Sequence, residues 1–259
     1  MNKKVILISI DGMRPDGFLT CGNEYVKELM AMSSYTMEGS ACDPAVTLPC
    51  HMSMFLSVPP ERHGILSNTY TPLVRPLNGL FEVLKASQKR SAMFYGWEEL
   101  RDVSRPGSLE KADYIEAYSD ENTDGILTER AIEYIKEKSP DFVFLYMVET
   151  DEKGGHDAGW MSDTYLHYVS LAIDNVKKVI EEVGNEYTVI ITADHGGHGR
   201  GHGADIPEDM LIPILFVGED FEKGKVLSDV SLLELAPTVA DLMGLPVPRE
   251  WEGRSVLKN

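Results

Sequence analysis

Residues 188–203 read TVIITADHGGHGRGHG. Residues 189–193 are of strand type, with β-branched Val189, Ile190, Ile191 and Thr192, and the run stops at Asp194-His195. A buried strand that ends in a carboxylate and an imidazole places two metal-ligating groups at the edge of a sheet. Five glycines follow, together with two more histidines, His198 and His202. Glycine lets the backbone pass closely around a bound group. Taken alone, the stretch is also compatible with a loop that binds nothing. The decision rests on whether other ligands complete a site.

Two more runs behave in the same way. Residues 5–10, VILISI, are continuously apolar, as in a strand buried on both faces, and end at Asp11-Gly12. Residues 142–148 are equally apolar and lead into Glu149-Thr150-Asp151. Further strands are predicted at 36–40, 91–95 and 212–217. Helices are predicted at 23–32, 47–56, 80–86, 123–138, 163–183 and 232–243. Strands alternating with helices predict an α/β three-layer sandwich around a mainly parallel sheet. The expected organisation is a single domain, 1–259, with a small irregular cap at about 66–120 and a surface tail from 246. In such sheets ligands bind beyond the carboxyl ends of the strands. Three predicted strands end there in Asp11, Asp151 and Asp194, and they converge on one edge.

The totals narrow the function. The chain has 259 residues, 43% of them hydrophobic, which suits one large domain. A formal net charge of -18 repels nucleic-acid backbones and anionic membranes, so neither is an expected partner. An anionic substrate must then be captured locally, by metal ions or a helix N-terminus. Three cysteines, Cys21, Cys42 and Cys50, argue against a disulfide framework and fit a reducing compartment. The apolar run near the N-terminus is shorter than a signal-peptide core, and none approaches the roughly 20 residues that span a membrane. A soluble, cytoplasmic protein is the expectation; the sequence does not set its oligomeric state.

Asp11, Asp151, Asp194 and His195, with His156 and His198 or His202, form a mixed carboxylate-imidazole set. That composition suits Zn²⁺ or Mn²⁺ better than Ca²⁺, and more than four ligands implies two ions. Thr47 opens the helix 47–56, where free N–H groups face an anion. Its hydroxyl is a nucleophile if a metal lowers its pKa, or simply the cap of that helix.

Five segments bear on the choice: ISIDGMRPD, PAVTLPCHMSM, HGILSN, ETDEKGGHDAG and TADHGGHGRGHG. In this order, and over nearly the whole chain, they resemble the alkaline phosphatase superfamily in its type I phosphodiesterase/nucleotide pyrophosphatase branch. The resemblance implies that Thr47 is transiently phosphorylated and that Asp11, Asp194 and His195 hold the metal that activates it. It also implies that Asp151 and His156 hold a second metal; His202 is chosen as its last ligand, with His198 as the alternative. Asn68 matches an asparagine whose amide, with the Thr47 backbone N–H, holds a phosphoryl oxygen.

The sequence departs from that pattern in three places. The gap from Asp151 to His156 is one residue longer than usual, so His156 must reach through a bulged loop, with Asp157 as a replacement. The last histidine normally lies after a long insertion, whereas here only His198 and His202 are available. The chain is also short for the branch. Tyr70, Arg75, Trp97, Arg101, Arg105 and Trp160 are candidates for substrate contact, and each is equally a packing or surface residue. His51 and His63 are expected to cap or pack, and His167 to lie in a helix, on its surface or as a satisfied core residue.

The expected function is hydrolysis of a small phosphate ester or nucleotide-like substrate by two divalent ions, zinc ahead of manganese, through phosphothreonine. Diester or pyrophosphate substrates come ahead of the monoester alternative. The alternative from another class is a non-catalytic metal-binding protein that keeps the fold. A sulfatase is disfavoured because Cys-x-Pro-x-Arg is absent around Thr47, and a phosphomutase relative would generally use serine and Mn²⁺.

Overall fold

Seven strands form one sheet in the order β2-β7-β6-β1-β5-β3-β4. The strands are β1 (Val5–Ile10), β2 (Ser33–Ser40), β3 (Ser91–Tyr95), β4 (Lys111–Tyr114), β5 (Phe142–Met147), β6 (Thr188–Thr192) and β7 (Leu211–Val217). This computed structural model describes residues 3–258. All neighbouring strands are parallel except β7, which runs against both β6 and β2. The fold is the expected α/β architecture with a mainly parallel central sheet. Every residue of β1, β5 and β6 is buried, which is why their sequences are apolar without alternation.

The helices are α1 (Pro15–Thr20), α2 (Tyr25–Met32), α3 (Thr47–Leu56), α4 (Pro60–His63), α5 (Leu80–Ala86), α6 (Thr123–Lys138), α7 (Asp163–Val183), α8 (Pro207–Met210) and α9 (Leu235–Leu242). Ser162 caps α7, its hydroxyl accepting the Tyr165 N–H, and the apolar stripe Val169, Ile173, Val176 faces the core. Against the other part of the sheet, Phe55 of α3 meets Phe144 of β5 edge-on at 4.9 Å and Phe81 of α5 at 4.7 Å. No helix among the described residues is long and apolar enough to cross a membrane.

The structure corrects several expectations. β2 starts at Ser33 rather than at 36, and the predicted 232–243 helix is a 3-10 turn, Leu232–Glu234, followed by α9. β4 lies in a stretch expected to be irregular: Lys-Ala-Asp-Tyr is an edge strand exposed on alternate residues, too polar to read as a strand. The stretch 66–120 therefore supplies α5, β3, a 3-10 turn at Glu98–Val103 and β4, and its irregular parts are 66–79, 87–90, 96–97, 104–110 and 115–120. The tail from 246 is not a loose surface segment. Trp251 is 7% exposed and donates its indole N–H to Asn78 O at 2.8 Å, while Val256 N–H reaches Thr238 Oγ1 at 3.1 Å. Asn259 lies outside the described residues.

Candidate metal and nucleophile site

β6, β1 and β5 are neighbours, so the residues just past their carboxyl ends lie side by side. Asp11 follows β1, Asp194 and His195 follow β6, and Asp151 lies in the turn after β5. His195 Nε2 is 3.3 Å from Asp11 Oδ1, 3.4 Å from Asp194 Oδ2 and 3.1 Å from Thr47 Oγ1. All four side chains are buried. The expected ligands of the first centre are thus assembled around the expected nucleophile.

Thr47 is the first residue of α3, and the cap position belongs to Val46, which has no side chain to offer the helix. The Thr47 hydroxyl therefore faces His195 and does not cap. Asn68 instead accepts the Leu48 N–H on its Oδ1 at 3.0 Å. That contact seats an exposed loop asparagine over the same helix start, one residue from Thr47.

The second group contains Asp151, His156 and His202. His156 Nε2 lies 3.2 Å from Asp151 Oδ2, and the His202 ring stacks on His195 at 3.9 Å. Ligand atoms of Asp151, His195 and His202 lie within 4.8 Å of one another, as do those of Asp11, Asp194 and His195. The long Asp151–His156 gap is absorbed by a π-helical turn, Thr150–Ala158. Its wider i→i+5 repeat brings His156 back over Asp151, where an α-helical turn would carry it to the far side. His198 points away from the cluster, with its Nδ1 2.8 Å from Asp209 Oδ1. Asp157 is exposed and meets Tyr118.

The histidine tautomers fit ligation. Nδ1 of His195 faces Gly196 O at 2.7 Å, Nδ1 of His202 faces Ala45 O at 2.9 Å, and Nδ1 of His156 faces Arg200 O at 3.0 Å. A carbonyl only accepts, so each Nδ1 carries the hydrogen and each Nε2 is the atom left for a metal. The carboxylates are equally telling. Asp11 Oδ1, Asp151 Oδ1 and Asp194 Oδ2 are three of the four buried side-chain oxygens among the described residues that lack a hydrogen-bond partner. Unpaired buried carboxylate oxygens are costly, and three of them in one place need a cation.

The electrostatics agree. Burial, then the charges of Asp194 and Asp151, push Asp11 well above the usual carboxylate range. Burial lifts Asp194 to about 7. Burial also works against the Asp151 carboxylate, but the His156 hydrogen bond and the neighbouring imidazoles outweigh it and hold this group low. Burial and the adjacent His195 depress His202 to about 4, while contact with Asp151 raises His156 to about 9. Carboxylates, imidazoles and one hydroxyl in this arrangement fit divalent ions of the zinc or manganese type.

Several supporting residues are not apparent from the sequence. The Tyr146 hydroxyl donates to Asp11 Oδ2. Gly12, at φ +65, donates its N–H to Asp194 Oδ1 at 3.2 Å, and a Cβ there would lie 2.8 Å from Asp151 Oδ1. Trp160 donates its indole N–H to Gly12 O at 2.9 Å and packs edge-on beneath His156 and His202. A Cβ on Gly197 would come within 2.1 Å of its ring. Asp124, from α6, accepts the N–H groups of Val148 and Glu149 and so fixes the turn before Asp151. The only hint in the sequence is that Asp-Gly and Gly-Gly pairs sit where the backbone must be tight.

Trp160, a candidate for substrate contact, is thus part of the floor. Arg101 pairs with Glu98 and Asp102, and Arg105 is held by Asn78 and Leu77 O. Trp97 packs against the core, whereas Tyr70 and Arg75 are exposed. His51, 0% exposed, lies behind Thr47 with its Nε2 3.1 Å from Ser9 Oγ, and burial depresses it to about 3. His63 sits 3.0 Å from Ser53 Oγ, and His167 is exposed on α7.

Comparison with known proteins gives this geometry its relatives. A model of the metalloenzyme superfamily matches residues 101–247, more than half of the chain, and one of type I phosphodiesterase / nucleotide pyrophosphatase matches residues 5–77. A 2,3-bisphosphoglycerate-independent phosphoglycerate mutase from Shewanella halifaxensis is 34% identical over 51% of this chain and 26% of its own length. Ectonucleotide pyrophosphatase/phosphodiesterase family member 1 from Rattus norvegicus is 26% identical over 74% of this chain and 24% of its own length. The aligned part is thus about a quarter of each of these relatives. Among solved structures, murine ectonucleotide pyrophosphatase/phosphodiesterase 5 superimposes with a TM-score of 0.80 at 16% identity, covering 95% of this chain and 96% of that one. A 2-O GAG sulfatase gives 0.78 at 17% identity, with 99% and 73% covered. The strand-end acids, the orphaned oxygens and these matches lead to one conclusion: the chain belongs to the metalloenzyme superfamily, as an alkaline phosphatase-type member similar to the nucleotide pyrophosphatase/phosphodiesterases.

Proposed function

We propose that the protein hydrolyses phosphate esters through a phosphothreonine at Thr47, with diesters or pyrophosphates preferred over monoesters. The observation that carries this reading is the buried Thr47 hydroxyl, 3.1 Å from His195 Nε2 and freed from any capping role. Asp11, Asp194 and His195 would hold one divalent ion, and Asp151, His156 and His202 a second; zinc suits this donor set, and manganese is the next choice. When bound, such ions supply the positive charge that lets a hydroxyl act as a nucleophile and that offsets charge on the phosphoryl oxygens.

The chain's own groups do the rest. Thr47 Oγ1 attacks phosphorus as the bond to the leaving oxygen breaks, and water later cleaves the Thr47–phosphate bond in the reverse sense. The Thr47 backbone N–H and the Asn68 amide, whose Oδ1 is already occupied by Leu48 N–H, present donors to a phosphoryl oxygen. The diester preference draws on Arg101 and Arg105, whose guanidinium groups are engaged by Glu98 and Asp102 and by Asn78 and the Leu77 carbonyl. It also draws on the rat relative, and on a solved inactive Thr-to-Ala form of the murine relative in complex with AMP.

A phosphomutase reading draws on the curated mutase relatives, but the threonine nucleophile and the smaller part of this chain they match, 51% against 74% for the rat relative, favour hydrolysis. Turnover of bis-p-nitrophenyl phosphate and p-nitrophenyl phosphate by wild type and Thr47→Ala tests the proposal. Metal-dependent release of p-nitrophenol should appear in the wild type, faster from the diester, and vanish in the variant. Two bound ions with no turnover on a broad ester panel would instead mark a non-catalytic metal-binding protein.

A further inference from the structure

The loop between β6 and α8 has glycine at positions 196, 197, 199, 201 and 203, and His202 stands between two of them. Such a segment has little stiffness of its own, because glycine gives up more backbone freedom on folding than any other residue. A metal ligand on it must be held from outside. The contact of His202 Nδ1 with Ala45 O fixes the ring but not the backbone that carries it.

Arg14 Nη1, the Trp160 backbone N–H and His156 Nδ1 reach the carbonyls of Gly197, Gly199 and Arg200, and one buried side chain grips the loop on both sides of His202. Asp209, in α8, is 0% exposed. Its Oδ1 accepts from His198 Nδ1 at 2.8 Å, and its Oδ2 accepts from Ala204 N–H at 2.8 Å. Its own carbonyl accepts Gly196 N–H at 2.8 Å, and the Glu208 carbonyl accepts Gly197 N–H at the same distance. Between the two grips, His198 and Gly201 close a tight turn through paired backbone hydrogen bonds of 2.8 and 3.0 Å. Asp209 therefore holds the loop four residues before His202 and two residues after it. A fully buried carboxylate is retained only when its oxygens are matched, and here both are matched by this loop.

We infer that Asp209 is the positioning residue for the second metal centre, acting on His202 through the His198 imidazole and the Ala204 N–H. His198 is then a strut of that clamp and not a ligand. This inference rests on the two-ion reading of the site. It predicts a selective effect: the first centre, built on Asp11, Asp194 and His195, is fixed by β1, β6 and the backbone bond from Gly196 N–H to Asp209 O, and does not depend on the Asp209 side chain.

Full-length wild type, Asp209→Asn, His198→Leu and His198→Asn are dialysed against zinc buffers of graded free concentration. Bound zinc is counted by mass spectrometry, and folding is checked by circular dichroism. Wild type should bind two ions. Asp209→Asn and His198→Leu should keep the tight ion while binding the other roughly 10- to 100-fold more weakly, the range for lost partners of metal ligands. His198→Asn places an amide donor where Nδ1 stood and should recover most of that loss, which a general loosening of the fold would not allow. Because the His198 side chain is half exposed, its variants keep the test alive if Asp209→Asn fails to fold. Unchanged affinity for both ions in folded His198→Leu overturns the clamp and leaves the site reading intact. A wild type that never binds a second ion overturns both.

Discussion

At the residue scale, the site was legible where the chemistry is carried by residue type and illegible where it is carried by contact. Asp11, Thr47, Asp151, Asp194 and His195 stand at strand ends or a helix start, and those positions follow from local patterning. His202 could be separated from His198 only by seeing which ring stacks on His195. Tyr146, Trp160 and Asp209 serve the ligands across 135, 148 and 11 residues of chain, and no local pattern reports such pairs. His156 makes a specific prediction. Its contact with Asp151 raises its pKa from 6.5 to about 9, so the metal-free protein carries that proton at neutral pH and must release it when Nε2 takes a metal. Zinc titrated into metal-free protein at pH 7.5, followed by calorimetry in two buffers of different ionisation enthalpy, should release one proton more from wild type than from His156→Gln. Zinc affinity should climb with pH and level off near 9. For the metal-free fold the sign is reversed. The raised pKa makes the stabilisation by the pair complete below 6.5, and it is lost as pH rises through about 9. Equal proton release from the two proteins would mean that His156 meets the metal already neutral.

At the element scale, the strands of the centre were readable because burial on both faces makes them apolar throughout, and the edges were not. β4 carries Lys111 and Asp113 on an edge and looks like loop. The last 14 residues looked like tail because their apolar members, Val247, Trp251, Val256 and Leu257, are widely spaced. Residues 251–256 nevertheless pack along α3 and α9. Glu252 N–H donates to Ser57 O at 2.7 Å and Gly253 N–H to Ser57 Oγ at 3.1 Å, and Ser57 is the left-handed residue that ends α3. Trp251→Ala removes a buried indole and its hydrogen bond to Asn78 O, a class of change that costs about 3–5 kcal/mol. Urea denaturation of the two proteins should show that loss as a lower midpoint at unchanged slope. A loss below about 1 kcal/mol, the level of an ordinary surface substitution, would mean that the segment merely lies on the domain.

At the scale of the whole molecule, a net charge of -18 opposes the approach of an anionic ester, and the metal centres must overcome that field locally. Salt screens such exposed charges over about 10 Å at 0.1 M. For an anionic diester, kcat/KM should therefore rise between about 20 and 200 mM salt, with kcat nearly constant. A steep fall would show that a positive field at the mouth dominates encounter. The order of the sheet has a further consequence, one that belongs to biosynthesis. The central strand β1 lies between β5 and β6, and the ligands run from Asp11 to His202. During synthesis Asp11 precedes its imidazole partner His195 by 184 residues (195 − 11). No early fragment can therefore assemble either centre, and β1 waits unpaired on one side until β6 arrives. Long-range pairing of this kind is slow, so the sheet must close before a metal ion finds its full set of ligands. A cell short of the right ion would thus accumulate folded protein that is still waiting to be loaded.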